Sequence, residues 1–145
     1  MSTQDRLAIN RAIRADLAPD LEKHQVSEAI SEHQHQVTLF EWIDWYANVD
    51  DRLKNAFAVP NGGNRDARTG ARLKAEGVKR GVPDLFLMWP AHGFGFLAIE
   101  MKSKKGVMST SQLEWVDRLQ NAGGKVMICH SADEAISTIR KYLNI

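Results

Sequence analysis

Three ionisable side chains lie at the ends of two apolar segments, where their types and spacing could hold a metal ion and activate water. Asp84 begins the segment "DLFLMW", and Glu100 and Lys102 end the segment "FGFLAIEMK". Ionised carboxylates are almost never fully buried without a partner charge or a metal. The two acids therefore indicate a cation site between two predicted strands.

The two apolar segments are predicted to pair as an antiparallel hairpin around the turn "PAHG". With His92 at the centre of the turn, Asp84 lies opposite Glu100, and the alternation of side chains puts Glu100 and Lys102 on one face. Directly opposed residues have Cβ atoms about 4.5 to 5.5 Å apart, and carboxylates that close raise each other's pKa unless a cation separates them. Such oxygen ligands suit Mg²⁺ or Mn²⁺ better than zinc. Taken singly, each residue could instead be a turn aspartate, a surface glutamate or a salt-bridged lysine.

The elements that must carry these residues begin with a helix. Ser31 and Gln34 have capping-box spacing, which predicts a helix that runs to about Ala47. A strand is expected over residues 53–59 before the turn "PNGGN", and a helix over residues 65–76, which Gly77 closes. An amino-terminal helical part is expected over about residues 1–30.

The carboxy-terminal third predicts a helix, a strand and a helix. The segment "STSQLEWVDRLQNAGG" has capping residues at its start and a glycine pair at its end, which frames a helix of about twelve residues. "KVMIC" is predicted to be a strand, and Ser131 with Glu134 has capping-box spacing before the last helix. The whole order predicts a single α/β domain over residues 1–145, with a mixed central sheet flanked by helices.

The charge of the chain is unevenly distributed. Residues 1–50 carry four Lys or Arg against nine Asp or Glu, whereas residues 51–105 carry eleven against five. Basic residues gathered in one region are typical of a phosphate-binding face, although a solvated charged surface would look the same. The apolar segments are too short to span a bilayer, and "MSTQDRLAIN" lacks the pattern of a signal peptide. With one cysteine, Cys129, these features favour a cytoplasmic protein.

The spacing of Pro83 and Asp84 from Glu100, Met101 and Lys102 resembles the PD-(D/E)XK nuclease signature. With the flanking "NGGNR", "RLKAEGVKRGVPDLFL", "AIEMKSKKG" and "STSQLEW", the chain resembles the virus-type replication-repair nuclease (VRR-NUC) branch over about residues 31–143. This branch includes small phage-encoded relatives of the Fanconi-associated nuclease, and the resemblance implies the host cytoplasm as the location if this chain is phage-encoded. The resemblance implies a restriction-endonuclease-like core and metal-dependent hydrolysis of DNA.

The resemblance also implies roles for individual residues. Asp84 and Glu100 match the metal-binding acids, the main-chain carbonyl of Met101 matches a further ligand, and Lys102 matches the catalytic lysine. Gln112 matches the family's glutamine. It shares an inward helical stripe with Trp115, Val116 and Leu119, although a glutamine in a first helical turn could equally face solvent. Trp42, Trp45 and Trp115 are expected in the core or an interface.

The family brings one more glutamate to the metal from an early helix, and two residues compete for that role. Glu32 shares a helix face with the apolar Leu39, Ile43 and Tyr46, whereas Glu41 points about 180° away from Glu32. We therefore expect Glu32 to be the ligand. A glutamate in a first turn is also favoured by the helix dipole alone, without any role in chemistry.

The basic region gives the candidate DNA-binding residues, because the phosphate backbone is contacted mainly by Lys, Arg and main-chain N–H groups. The candidates are Asn61, Arg65, Arg68, Arg72, Lys74, Lys79, Arg80, Lys104 and Lys105. The resemblance further implies a homodimer that cleaves four-way (Holliday) junctions. A nuclease for flap, nicked or linear DNA and a non-catalytic DNA-binding module remain alternatives.

Overall fold

The computed structural model of the chain describes residues 30–60 and 66–145. The predicted amino-terminal helical part lies outside the described residues, as do Asn61 and Arg65. The described elements, in chain order, are helix α1 (Glu32–Tyr46), a 3₁₀-helix (Asp51–Asn55), strand β1 (Ala56–Ala58), helix α2 (Ala67–Ala75), strands β2 (Leu85–Leu87) and β3 (Phe96–Met101), helix α3 (Thr110–Asn121), strand β4 (Gly124–Cys129) and helix α4 (Ala132–Leu143).

The four strands form one mixed sheet in the order β1-β2-β3-β4. β1 and β2 are antiparallel, β2 and β3 are antiparallel, and β3 and β4 are parallel. Leu85 pairs with Ile99 and Leu87 pairs with Leu97, which confirms the predicted hairpin register. The same register places Asp84, one residue before β2, opposite Glu100. The predicted mixed sheet with flanking helices is also confirmed.

The two faces of the sheet differ because successive side chains point to opposite sides. One face carries Leu85, Leu97 and Ile99, all fully buried, and packs against α1 and α4 in the hydrophobic core. Burying each such side chain stabilises the fold by about 1.5 to 3 kcal/mol. Glu100 alternates with this set and points to the other face, where α3 packs on β4. The core thus fixes the strand that carries the acid without surrounding the acid itself.

The prediction of a strand over residues 53–59 is wrong for its first half. Asp50 caps a 3₁₀-helix there, since its carboxylate accepts hydrogen bonds from the main-chain N–H and the guanidinium of Arg52. Aspartate side chains that bond the main chain two residues on compete with strand pairing. The strand is therefore limited to Ala56–Ala58.

The other helix boundaries lie close to their predicted positions. Ser31 and Gln34 make both bonds of the predicted capping box, and α1 ends one residue before Ala47. α2 is shorter than predicted because Asp66 caps it, by accepting a hydrogen bond from the N–H of Thr69. Within the described residues, no helix combines the length and the apolar character that crossing a membrane requires.

Candidate active site

Asp84 and Glu100 lie side by side where β2 begins and β3 ends. The Oδ2 atom of Asp84 accepts a hydrogen bond of 2.7 Å from the main-chain N–H of Met101. This bond fixes the aspartate carboxylate against the strand that carries Glu100. Glu100 is only 3% exposed, and among the described residues it is the one buried residue with a charged side chain.

Two cationic or polar groups meet the same oxygen of Glu100. The Nζ atom of Lys102 lies 3.4 Å from Oε1 of Glu100, and the lysine side chain is only 14% exposed. The side-chain amide of Gln112 donates a hydrogen bond to that same oxygen. A buried carboxylate that receives an ammonium and an amide N–H has its orientation fixed, because both bonds would be lost if it turned.

Gln112 reaches Glu100 because the start of α3 holds its side chain. Ser109 caps this helix, and its main-chain N–H donates to Oε1 of Gln112 over 2.8 Å. The amide oxygen of Gln112 therefore completes the capping box, and the amide nitrogen is directed at Glu100. The alternative of a solvent-facing glutamine in the first turn is wrong.

Glu32 lies at the same end of the sheet. It is the first residue of α1, and its Oε1 accepts a hydrogen bond of 2.7 Å from the main-chain N–H of Ser103, just after Lys102. Its negative charge contributes to raising the pKa of both Asp84 and Glu100. Glu32 and Glu41 are both exposed, and Glu32 is distinguished by its contact with Ser103 just after β3.

The environment of the two acids favours their neutral forms when no cation is bound. Burial raises the pKa of Glu100 to about 7; the negative charge of Asp84 adds to the rise, and Lys102 opposes it. Burial also raises the pKa of Asp84, against the lowering effect of the hydrogen bond from Met101. Two carboxylates kept at this cost are typical of a site that receives positive charge.

Two carboxylates of this site have oxygen atoms that suit a divalent cation. Among the described residues, three or more His, Cys, Asp or Glu side chains do not gather into a ready-made ligand cluster. Glu32 is turned to Ser103, and one oxygen of Glu100 is taken by Lys102 and Gln112. Asp84 and Glu100 still fit Mg²⁺ or Mn²⁺, which accept one or two carboxylates and keep several waters. In the metal-free arrangement, the Lys102 ammonium is a positive charge that lowers the pKa of both acids.

The described basic candidates are exposed and fall into two groups. Arg68, Arg72 and Lys74 lie on α2, where Arg72 is 3.7 Å from Glu76 in an exposed ion pair. A pair of this kind contributes little to stability. The second group flanks the acids along the chain and contains Lys79, Arg80, Lys104 and Lys105. The second group lies closer in sequence to the site than the first.

The raised pKa of Glu100 predicts a specific pH dependence. Between about pH 4.5 and pH 7 the folded, metal-free chain keeps a proton on Glu100 that the unfolded chain has already lost. The free energy of unfolding should therefore fall as the pH rises through this window, and Mg²⁺ should bind more tightly over the same window. We expect the Tm of the chain relative to that of Glu100→Gln to decrease from pH 5 to pH 8 in EDTA. A Tm difference that does not change with pH would contradict this assignment.

The chain is similar to known proteins in sequence and in fold. The family profile of the VRR-NUC domain matches residues 21–133 of the chain. A solved structure described as a "VRR_NUC domain protein" is similar in fold, with a TM-score of 0.67 and 21% sequence identity over 81% of this chain and 92% of that one. A search of curated proteins found no match.

Proposed function

This chain belongs to the VRR-NUC family of PD-(D/E)XK-type nuclease domains, and we propose that it is a metal-dependent DNA endonuclease that hydrolyses phosphodiester bonds. The observation that carries the proposal is the buried carboxylate of Glu100, which lies beside Asp84 and contacts Lys102 and Gln112. An acid that only stabilised the fold would not require this arrangement, because the arrangement keeps the pKa values of two carboxylates raised.

The proposed metal ligands are the side chains of Asp84 and Glu100, the main-chain carbonyl of Met101, and Glu32. A divalent cation held there would supply Lewis-acid polarisation of the scissile phosphate and would lower the pKa of a water. Because Oδ2 of Asp84 accepts the Met101 N–H, Oδ1 is the oxygen proposed to face the cation. Glu32 would reach it by exchanging its bond with Ser103.

Lys102 is proposed to act on the reacting water or on the phosphate. Its ammonium lies 3.4 Å from Glu100, on the same side of the hairpin as both acids. From there it could orient the attacking water or offset the negative charge that develops in the transition state. A general-base role would require a lowered lysine pKa and stands as the alternative. Gln112 is proposed to keep Glu100 turned toward the cation.

The proposed DNA contacts are made by the basic residues and by main-chain N–H groups of the turn "PNGGN". They comprise Asn61, Arg65, Arg68, Arg72, Lys74, Lys79, Arg80, Lys104 and Lys105. Contacts to phosphates position DNA without reading its sequence, so the substrate would be chosen by its shape. Each such contact should make binding weaker at higher salt.

The proposed substrate is a four-way junction, cut by a homodimer in the cytoplasm. A two-fold dimer presents two identical active sites, which suits paired cuts in a symmetric branched substrate. This part of the proposal rests on the family resemblance. A nuclease that acts on flap, nicked or linear DNA is the alternative within the same chemistry.

The function can be tested with a panel of labelled substrates. Four-way junction, flap, nicked and linear duplex DNA would be incubated with the purified chain in Mg²⁺, in Mn²⁺ and in EDTA. We expect cleavage of the junction with either metal and none in EDTA. Equal cleavage of every substrate would contradict the specificity for junctions and would still support the nuclease activity. Binding without cleavage under any metal would instead support a non-catalytic DNA-binding module.

A further inference from the structure

The segment that leads into Asp84 makes a close backbone contact with α3. This lead-in segment, residues 79–83, has Gly81 at φ +87°, a conformation that side chains other than glycine rarely adopt. A Cβ atom at Gly81 would lie 2.6 Å from the carbonyl carbon of Ser111 and 2.9 Å from the main-chain nitrogen of Gln112. Cβ atoms do not approach backbone that closely, so the contact requires glycine.

A hydrogen bond makes a second contact between the same two parts. The indole N–H of Trp115 donates to the main-chain carbonyl of Arg80 over 3.1 Å. The guanidinium of Arg118 lies over the Trp115 ring, 5.2 Å from its centroid, and this cation–π contact favours the observed ring position. The lead-in segment is thus held to α3 at two consecutive residues, Arg80 and Gly81.

Trp115 follows Gln112 by one turn of α3, so that both side chains leave the helix on the same face. One of them binds Glu100 on β3, and the other binds the chain that enters β2 at Asp84. We propose that Gly81 and Trp115 are positioning residues of the active site. They dock the lead-in segment on α3 and thereby hold the Gln112 amide against Glu100.

The physical basis is that α3 and the hairpin are separate elements. α3 packs on β4, which β3 separates from β2 in the sheet, so further contacts are needed to place its first turn relative to β2. The contact at Gly81 and the bond to Arg80 fix that turn relative to Asp84. Catalysis is sensitive to such shifts, because misplacing a catalytic group by about 1 Å can cost about 100-fold in rate. The inference rests on the proposed nuclease function for its kinetic tests.

The first test removes the indole N–H and keeps an aromatic ring. Trp115→Phe should lower kcat about fivefold, the effect of one neutral hydrogen bond, with KM for DNA changed less than about twofold. In a Gln112→Ala background the same substitution should cause no further loss, because it acts through Gln112. Independent, multiplicative losses in the double variant would overturn the proposal.

The second test uses a matched pair of glycines. Gly77 and Gly81 both have positive φ, at +96° and +87°, but a Cβ at Gly77 would meet nothing within 4 Å. Gly81→Ala and Gly77→Ala therefore introduce similar backbone strain, and only the first displaces α3. We expect kcat to fall by about tenfold or more in Gly81→Ala and to stay within about twofold in Gly77→Ala. Equal losses in the two variants would contradict the positioning role.

The third test does not depend on cleavage. In metal-free protein, hydrogen exchange of the Gln112 side-chain amide, followed by NMR, should be slow in the unsubstituted chain and in Gly77→Ala. It should be about fivefold faster in Trp115→Phe, where the bond to Glu100 is held less firmly. Unchanged exchange in Trp115→Phe would overturn the positioning role even if the chain cuts DNA. Faster exchange in a chain that cuts nothing would support it while the nuclease proposal fails.

Discussion

Asp84→Asn is expected to lower DNA cleavage about 10³-fold or more while leaving the fold intact. A bound cation contributes several kcal/mol of charge stabilisation in the transition state, and each 1.36 kcal/mol is tenfold in rate. Asparagine keeps an oxygen that can accept the 2.7 Å hydrogen bond from Met101, but it lacks the charge that a divalent cation needs. The metal-free variant should also be no less stable, because Asp84 contributes to raising the pKa of Glu100.

The matched control is Glu41→Gln, which removes one exposed negative charge from α1. Its cleavage rate should stay within about twofold of the unsubstituted chain, since a surface charge of this kind has little effect on stability or on a distant site. Single-turnover rates at saturating Mg²⁺, on the substrate cut fastest, give the comparison. Cleavage by Asp84→Asn within tenfold of the unsubstituted rate would contradict the metal role of Asp84.

Lys102→Met is expected to separate cation binding from cleavage. The rate should fall about 10² to 10³-fold, the size of losing one charge-stabilising group in a transition state. Binding of the cation should be retained or become tighter, because the ammonium that lies 3.4 Å from Glu100 no longer opposes it. Methionine fills a similar volume without the charge.

The same substitution has a predicted effect on stability. Breaking a buried ion pair by removing one partner commonly costs about 3 to 5 kcal/mol, because the other charge stays buried. Lys102 lowers the pKa of Glu100, so in the variant Glu100 should keep its proton to higher pH. The loss of stability should therefore appear mainly above pH 7. Mg²⁺ should restore part of that loss in thermal unfolding at pH 8.

Lys104→Met is the control for Lys102→Met, because Lys104 is an exposed lysine two residues further along the chain. It should leave kcat and stability nearly unchanged and reduce the salt dependence of DNA binding, as expected for one lost phosphate contact. If the two variants lost kcat equally, Lys102 would be a DNA-binding residue and would have no distinct part in the chemistry.

The fold and the hairpin at the site were accessible from the sequence because they depend on local pattern. Alternating apolar residues and the turn around His92 are enough to set the register that pairs Leu85 with Ile99. The 3₁₀-helix before β1 was not predicted. It depends on the hydrogen bond between the carboxylate of Asp50 and the main-chain N–H of Arg52, which hydrophobic periodicity does not indicate. The serine caps of α1, α3 and α4 were predicted, because their bonds span three residues.

The long-range contacts of the site were only partly accessible. Helix geometry put Glu32 on the inward face, but the main-chain N–H of Ser103 that it binds is 71 positions away in sequence. For Gln112 the helical stripe shared with Trp115 and the match to the family's glutamine were the available signals, and neither identified Glu100 as its partner. The need for glycine at position 81 arises from contact with Ser111, which becomes visible only when both parts are in place.

The central claim is that Asp84 and Glu100 hold the divalent cation on which cleavage depends. Its most direct test is a calorimetric titration of Mn²⁺ into metal-free protein, with cleavage followed over the same Mn²⁺ range. The unsubstituted chain should bind Mn²⁺ and begin to cut DNA as the site fills, and Asp84→Asn should bind at least about tenfold more weakly. Equal Mn²⁺ binding by the two proteins, or full cleavage in EDTA, would contradict the account.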